Sequence, residues 1–264
     1  MRLRSLTKHI REQNWLAVTL DFCIVVFGVG VALMGQQWLS NGQQRADLRV
    51  AEAALQIDLL TNYSNAQERL STANCRKAKY QAIGAQLLEP GETWTPVSMP
   101  PYPNSGGPAL SDVFRSPQRF WGSRTWDAGL ARGTFNRMAD ERRDALDRLF
   151  LLTRYVEDIQ FEVYTLQGRM KMLAVATTIS PDERPRFYEI LGELDGKSTA
   201  IEGISRQIIA SIETLGVNVP ANITAEVLAD LPAENARSAA LYGDCFVPMA
   251  FPILDMSVSG GNAP

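Results

Sequence analysis

Apolar and polar residues alternate along this chain in blocks that predict helices and little else. The first block, residues 15–35, reads WLAVTLDFCIVVFGVGVALMG and carries one charge, Asp21. As a helix rising about 1.5 Å per residue it covers roughly 31 Å, the thickness of a bilayer's hydrocarbon core. Trp15 and Trp38 bracket it, about 35 Å apart if helical, at the depths where indole rings settle between acyl chains and headgroups. Residues 15–38 are therefore predicted to form one transmembrane helix with these two tryptophans as interfacial anchors.

Residues 39–88 contain no proline and have a helical composition, which predicts a stalk helix with Leu48, Leu55 and Leu59 on adjoining faces. Gly42, Asn62, Ser64 and Asn65 are its expected points of interruption. Six prolines between residues 89 and 108 exclude a helix there, and residues 89–121 are predicted to be a Pro- and aromatic-rich loop.

Helix is expected again over 123–133 and then over 140–178, where Val156, Ile159, Val163, Leu166, Met170 and Leu173 follow a heptad seam. Ser180-Pro181-Asp182-Glu183 supplies an N-cap, a first-turn proline and a capping-box glutamate. The helix after it repeats the heptad with Phe187, Ile190, Leu194, Ile201, Ile204, Ile208 and Leu215, and with Lys197 at the one polar register position. Two seams of equal period joined by a short turn predict an antiparallel helical hairpin over 122–217. Gly216 suits a helix end, and Asn218-Val219-Pro220 a departure from it. Short helices over 224–231 and 232–242 and a mobile tail complete the segment 218–264. The predicted class is all-α: one N-terminal transmembrane helix followed by an antiparallel bundle or coiled-coil hairpin.

Topology follows from the basic flank. Arg2, Arg4, Lys8 and Arg11 precede the span, whereas Arg45 and Arg49 are the only basic residues in the fifteen after Gly35, so residues 1–14 are expected in the cytoplasm. The apolar run has full span length and passes into Gln36-Gln37-Trp38 without a small-x-small site, which predicts an uncleaved signal anchor with some 229 residues beyond it. Within the span Asp21, Val25, Gly28, Ala32 and Gly35 share one face, and Gly28 with Ala32 is a small-xxx-small pair. Either this face meets a partner helix, from a second copy or another membrane protein, or Asp21 snorkels to the headgroups.

Composition removes several classes of function. The chain has 264 residues with 26 basic, 29 acidic and one histidine; beyond residue 35 there are 22 basic and 27 acidic residues, a charge of −5 that does not suit nucleic acid. The one histidine, His9, sits among basic residues before the span, where attraction to anionic lipid suffices to explain it. Asn104-Ser105-Gly106-Gly107-Pro108 resembles the nucleophile stretch of chymotrypsin-like proteases. No histidine base lies on its side of the membrane, so it is read as a turn. No metal-ligand spacing and no phosphate-cradling glycine loop occurs, and neither a cofactor nor a catalytic residue is predicted.

Cys23 falls in the span, leaving Cys75 and Cys245 as a lone pair beyond it. In an oxidising compartment they are expected to form a disulfide that restrains the unfolded chain by roughly 5 kcal/mol; two separate buried thiols are the alternative. Trp94, Trp121 and Trp126 lie close in sequence to Arg119 and Arg124, with Tyr102, Phe114, Phe120 and Arg115. Such a cluster is either a plug at the end of a bundle or a partner surface rich in interface-forming residues. The mixed charges that open the helix at residue 140 suit its dipole and a solvated face.

Lys8-His9-Ile10, Glu12-Gln13-Asn14-Trp15, Ala17-Val18, Asp21-Phe22 and Ile24-Val25-Val26 with Gly28 resemble the amino-terminal anchor of an uncharacterised family of single-span bacterial inner-membrane proteins. The resemblance is close over residues 1–40. It implies an inner-membrane location with a helical extracytoplasmic domain, and no activity. The expected function is a non-catalytic structural, scaffold or accessory subunit of an envelope complex, anchored in the lipid bilayer. The alternative is a periplasmic ligand sensor, which would have to signal through a partner because only some fourteen residues are cytoplasmic. An enzyme working through unrecognised carboxylates is the third option.

Overall fold

The computed structural model describes residues 15–97 and 117–254, and of Trp15, Leu16, Ala17, Val18 and Asp21 only the backbone. The basic segment 1–14, the 104–108 turn, Tyr102, Phe114, Arg115 and the end of the tail lie outside the described residues. The fold is all-α, and its contacts divide the chain into two units, Met1–Val50 and Ala51–Pro264.

Helix α1 runs over Trp15–Ser71. Its portion within the first unit contains an apolar stretch long enough to cross a membrane, with none of that window buried. From Leu55 onward the same helix contributes Leu55, Leu59, Leu60, Tyr63 and Ala66 to the core of the second unit. The expected interruptions at Gly42, Asn62, Ser64 and Asn65 do not occur. The break comes at Thr72, whose hydroxyl donates to the Glu68 carbonyl at 3.1 Å, a back-bond that bends helices. Helix α2 (Ala73–Leu88) then begins, so the stalk expected as one helix over 39–88 is two.

A second departure lies in the segment predicted as pure loop and helix. Strand β1 (Thr93–Trp94) pairs antiparallel with β2 (Thr177–Thr178), in the register Thr93 with Thr178 and Trp94 with Thr177. Helix α3 (Arg124–Ala131) leads through Gly133, at φ 69°, into the 3-10 turn Thr134–Arg137. Helix α4 (Asp140–Arg169) stops nine residues short of the expected Thr178, because the chain tightens into the 3-10 turn Lys171–Ala174 and then extends to pair with β1.

Helix α5 (Glu183–Leu215) is the centre of the second unit and packs on both α4 and α2. It starts at Glu183 rather than at the expected Pro181. Instead of the full capping box, Ser180 donates both its amide (3.1 Å) and its hydroxyl (2.9 Å) to the Glu183 carboxylate. The predicted seam of α4 and the turn after it is buried at all six positions, and in α5 Leu194, Ile201, Ile204 and Ile208 are buried.

A second buried stripe of α5, Arg184, Leu191, Ser198, Ser205 and Ile212, repeats every seven residues on another face. It looks onto α2: Leu191 lies over Gly84, and Ser198 is 3.4 Å from the Tyr80 hydroxyl. Gly216, at φ 72°, ends the helix as expected. The two short helices expected over 224–231 and 232–242 are one, α6 (Ala221–Tyr242), with Pro232 inside. Pro232 is exposed, so the carbonyl deprived of its helical partner can turn to water.

Candidate functional site

Along the span, Val25, Gly28, Ala32 and Gly35 are all exposed, and nothing lies within 4 Å of where a Cβ on Gly28 or Gly35 would stand. The face is thus open to close approach. Trp38 is exposed, and so is Cys23, a free thiol. The side chains of Trp15 and Asp21 lie outside what is described.

The aromatic residues separate into inside and outside. Trp94, Trp121 and Trp126 are at most 4% exposed, which fits the first of the two uses open to them, a plug, and not a partner surface. Trp126 stacks between Phe135 and Phe150 at centroid distances of 5.0 and 5.6 Å. Trp94 donates its indole N–H to the Leu173 carbonyl at 2.9 Å, which anchors the end of the α4 segment to β1. The N–H groups of Trp121 and Trp126 lack acceptors, at a cost of about 1–3 kcal/mol each, which their large apolar burial outweighs. Gly129 makes room for this packing, since a Cβ there would stand 2.1 Å from the Phe135 ring. Arg124 and Phe120 remain outside, Phe120 at 89% exposure.

Arg119 belongs to a strap, residues 117–122, that lies along α1. The Asn62 amide donates to the Gly122 carbonyl and accepts its N–H, both at 2.8 Å, while Asn65 donates to the Phe120 carbonyl at 3.0 Å. Glu68 accepts two bonds from the Arg119 guanidinium, at 2.6 and 2.7 Å, and this holds the Arg119 pKa above its ordinary value. Asp58 accepts the Thr125 amide at 3.3 Å. Gln160 of α4 completes the fastening, donating to the Arg119 carbonyl at 2.9 Å and accepting from buried Arg69 at 2.7 Å. Asp58, Asn62, Asn65 and Glu68 occupy successive turns of one helical face. That spacing is the sequence signal of the strap's seat: a polar stripe in the middle of a helix, next to an apolar one.

A second polar cluster joins α2 to α5. The Arg76 side chain, 8% exposed, donates to Glu202, 2% exposed, at 2.7 Å; it also pairs with Asp195 and reaches Thr199 at 3.2 Å. Its carbon Cζ lies 5.1 Å from the centre of the Tyr80 ring. Burial alone would lower the Arg76 pKa, but the hydrogen bonds to Glu202 and Asp195 carry it above its ordinary value. Burial lowers Arg69 to about 10 and raises the Tyr63 phenol, which donates to Glu213 at 3.0 Å, to about 12. Arg184 donates to the carbonyls of Gln86, Glu89 and Thr93, closing the C-terminal end of α2. Lys197, the polar register position, pairs with Glu162 of α4 at 2.5 Å and with Glu193 at 3.6 Å.

Cys75 and Cys245 form a disulfide with their Cα atoms 4.9 Å apart. It fixes the short 3-10 turn Gly243–Cys245 to the first turn of α2, beside the break at Thr72. There Val247 donates to the Ser71 carbonyl at 3.0 Å.

The chemistry available is that of fastening. The carboxylates and guanidinium groups named above are engaged with one another, with amides, with a phenol or with backbone carbonyls, and among the described residues no group of three His, Cys, Asp or Glu side chains is placed to hold a metal ion. No protein-family model, curated protein or solved structure matches the chain.

Proposed function

We propose that the chain is a membrane-anchored structural or accessory subunit, and that its helical body holds or stabilises another component of a bacterial envelope complex without catalysing a reaction. One observation carries this reading: the apolar stretch of α1 is exposed all round, with Phe27 at 75% and Met34 at 73%, over a length that suits a bilayer. The polar clusters of the body support it, because they join helices rather than converge on a space for substrate.

In this reading residues 1–14 lie in the cytoplasm and residues 39–264 in the periplasm. Helices α4 and α5 act as an antiparallel coiled-coil hairpin, with α2 against its second side. The Asp21, Val25, Gly28, Ala32 and Gly35 face receives a partner helix, either a second copy or another membrane protein, since glycine at Gly28 and Gly35 lets backbones approach closely.

The test is made in intact inner membranes. With Cys23 replaced by serine, a cysteine introduced at Gly28 or Ala32 should cross-link into one defined product, whereas one at Phe27 or Met34 should not. Alkaline phosphatase fused after residue 264 should be active. A chain that stays monomeric at every position would overturn the partner, and a fusion that is inactive while a cytoplasmic reporter is active would overturn the topology.

A further inference from the structure

The segment after the disulfide has an unusual construction. Residues 246–251 form no regular element and only 252–254 are helical, yet Phe246, Met249, Phe251, Ile253 and Leu254 are each at most 8% exposed. Phe251 lies 5.7 Å from the Tyr63 ring of α1, centre to centre. Polar fastenings of its backbone are Val247 N–H to the Ser71 carbonyl and a reciprocal pair with Asn235 of α6, which donates to the Met249 carbonyl at 3.0 Å and accepts its amide at 2.9 Å. Burying five apolar side chains gains about as much as ordering nine residues costs. The seat is therefore close to balance on its own, and the covalent tether decides it.

We propose that the Cys75–Cys245 disulfide is a reducible latch: its reduction unseats residues 246–254 while the helical body stays folded, and so uncovers an apolar face on the Tyr63 side of α1. The inference stands on contacts within residues 51–264 and does not rest on the membrane assignment.

Two features make this bond suited to opening. Cys245 is partly exposed while Cys75 is buried, so the Cys245 side of the bond is the more open to an incoming thiolate. Cys75 lies in the first turn of α2 and stays with the helix, so its sulfur is the one that departs when Cys245 is attacked. The reductant is a dithiol. One of its thiolates attacks Cys245 Sγ, and the electron pair of the S–S bond departs with Cys75 Sγ. Its second thiol then displaces Cys245 and the reductant leaves as a cyclic disulfide. Two electrons pass to the cysteine pair, and the two protons of the reductant end on the two thiols.

The break at Thr72 supplies the second state. In an unbroken helix the Ser71 carbonyl would accept the Cys75 amide. Here it accepts the Val247 N–H at 3.0 Å, so release of the segment removes that bond and leaves the Cys75 amide as the partner helix geometry would supply.

The test is hydrogen exchange on the full-length protein in detergent micelles, oxidised or treated with dithiothreitol, alongside a C75A/C245A variant. Peptides from 246–254 should exchange about tenfold faster or more in the reduced and variant proteins, with helical circular dichroism and tryptophan emission unchanged. Exchange within about twofold of the oxidised rate would overturn the latch, and so would joint loss of dichroism and emission, which marks a global staple. Glutathione trapping supplies an independent reading by intact mass and peptide mapping. An adduct on Cys245 is expected, and an adduct on Cys75 alone, or none, would overturn it.

Discussion

Glu202 joins α5 to α2 through a buried ion pair. It accepts from Arg76 in a setting where both side chains are almost fully removed from water. Such a pair is costly to bury and costlier to break, so Glu202→Ala, which leaves Arg76 buried beside only the half-exposed Asp195, should lose about 3–5 kcal/mol in urea unfolding. Replacing both partners by apolar residues, Arg76→Met with Glu202→Leu, should be neutral or stabilising, because nothing charged is then left inside. If the single variant cost less than about 1 kcal/mol, the pair would be too solvated to matter. Glu183 behaves differently because it is at the surface. Its bonds from the Ser180 hydroxyl and amide hold its pKa below the ordinary 4.5, so the folded state binds its proton more weakly than the unfolded state does. Its contribution is therefore complete above about pH 4.5 and lost as the pH falls through the folded value. The stability difference between the wild type and Glu183→Ala should be constant from neutral to mildly acidic pH and shrink on further acidification; a difference that persists in strong acid would refute the assignment.

Glycines separate two kinds of helix contact. In α3 the missing Cβ of Gly129 is filled by the Phe135 ring, so Gly129→Ala should cost about 1–3 kcal/mol or more through overpacking. In α5, Gly192 and Gly196 have nothing within 4 Å of a built Cβ, and alanine there should add about 0.5–1 kcal/mol each by restricting the unfolded chain and favouring helix. Thermal unfolding of the isolated variants checks both signs. The same helices indicate what sequence can show. The apolar seam of α4 was legible because apolar side chains at heptad spacing have one plausible use. The second face of α5 was not, because Arg184 and Ser198 look like a solvated surface until the carbonyls at the end of α2 and the Tyr80 hydroxyl are brought to them. The strap's seat on Asp58, Asn62, Asn65 and Glu68 was hidden for the same reason, and its two asparagines, Asn62 and Asn65, read as interruptions of the helix. The end of α4 depended on a partner 79 residues away, the Trp94 indole on the Leu173 carbonyl, which no local pattern records. Conversely, the long apolar helix, the Gly216 stop and the Cys75 and Cys245 pairing were legible because an unbroken apolar run, a glycine free to take positive φ and a lone pair of cysteines outside that run each leave few choices.

At the scale of the whole chain, the two units place opposite demands on solvent. In the first, apolar side chains face outward along α1. In the second, the buried apolar residues from Leu55 to Leu254 find their neighbours within residues 51–264, and both polar clusters and the disulfide close there as well. A fragment of residues 51–264 therefore keeps every contact described for its core, and its first turn carries Glu52, which suits the positive end of the shortened helix. It should remain soluble without detergent and unfold in one cooperative transition. Of the five tryptophans it retains Trp94, Trp121 and Trp126, all buried, so its emission should be blue-shifted and move to the red in that same transition. The full-length chain should need detergent, since the apolar helical stretch over residues 15–35, exposed at its described side chains, exceeds what a monomeric soluble surface tolerates. A fragment that aggregates, or whose emission is already that of exposed indoles, would mean that the core draws on residues 1–50 after all, and the division at Val50 would then have no thermodynamic content.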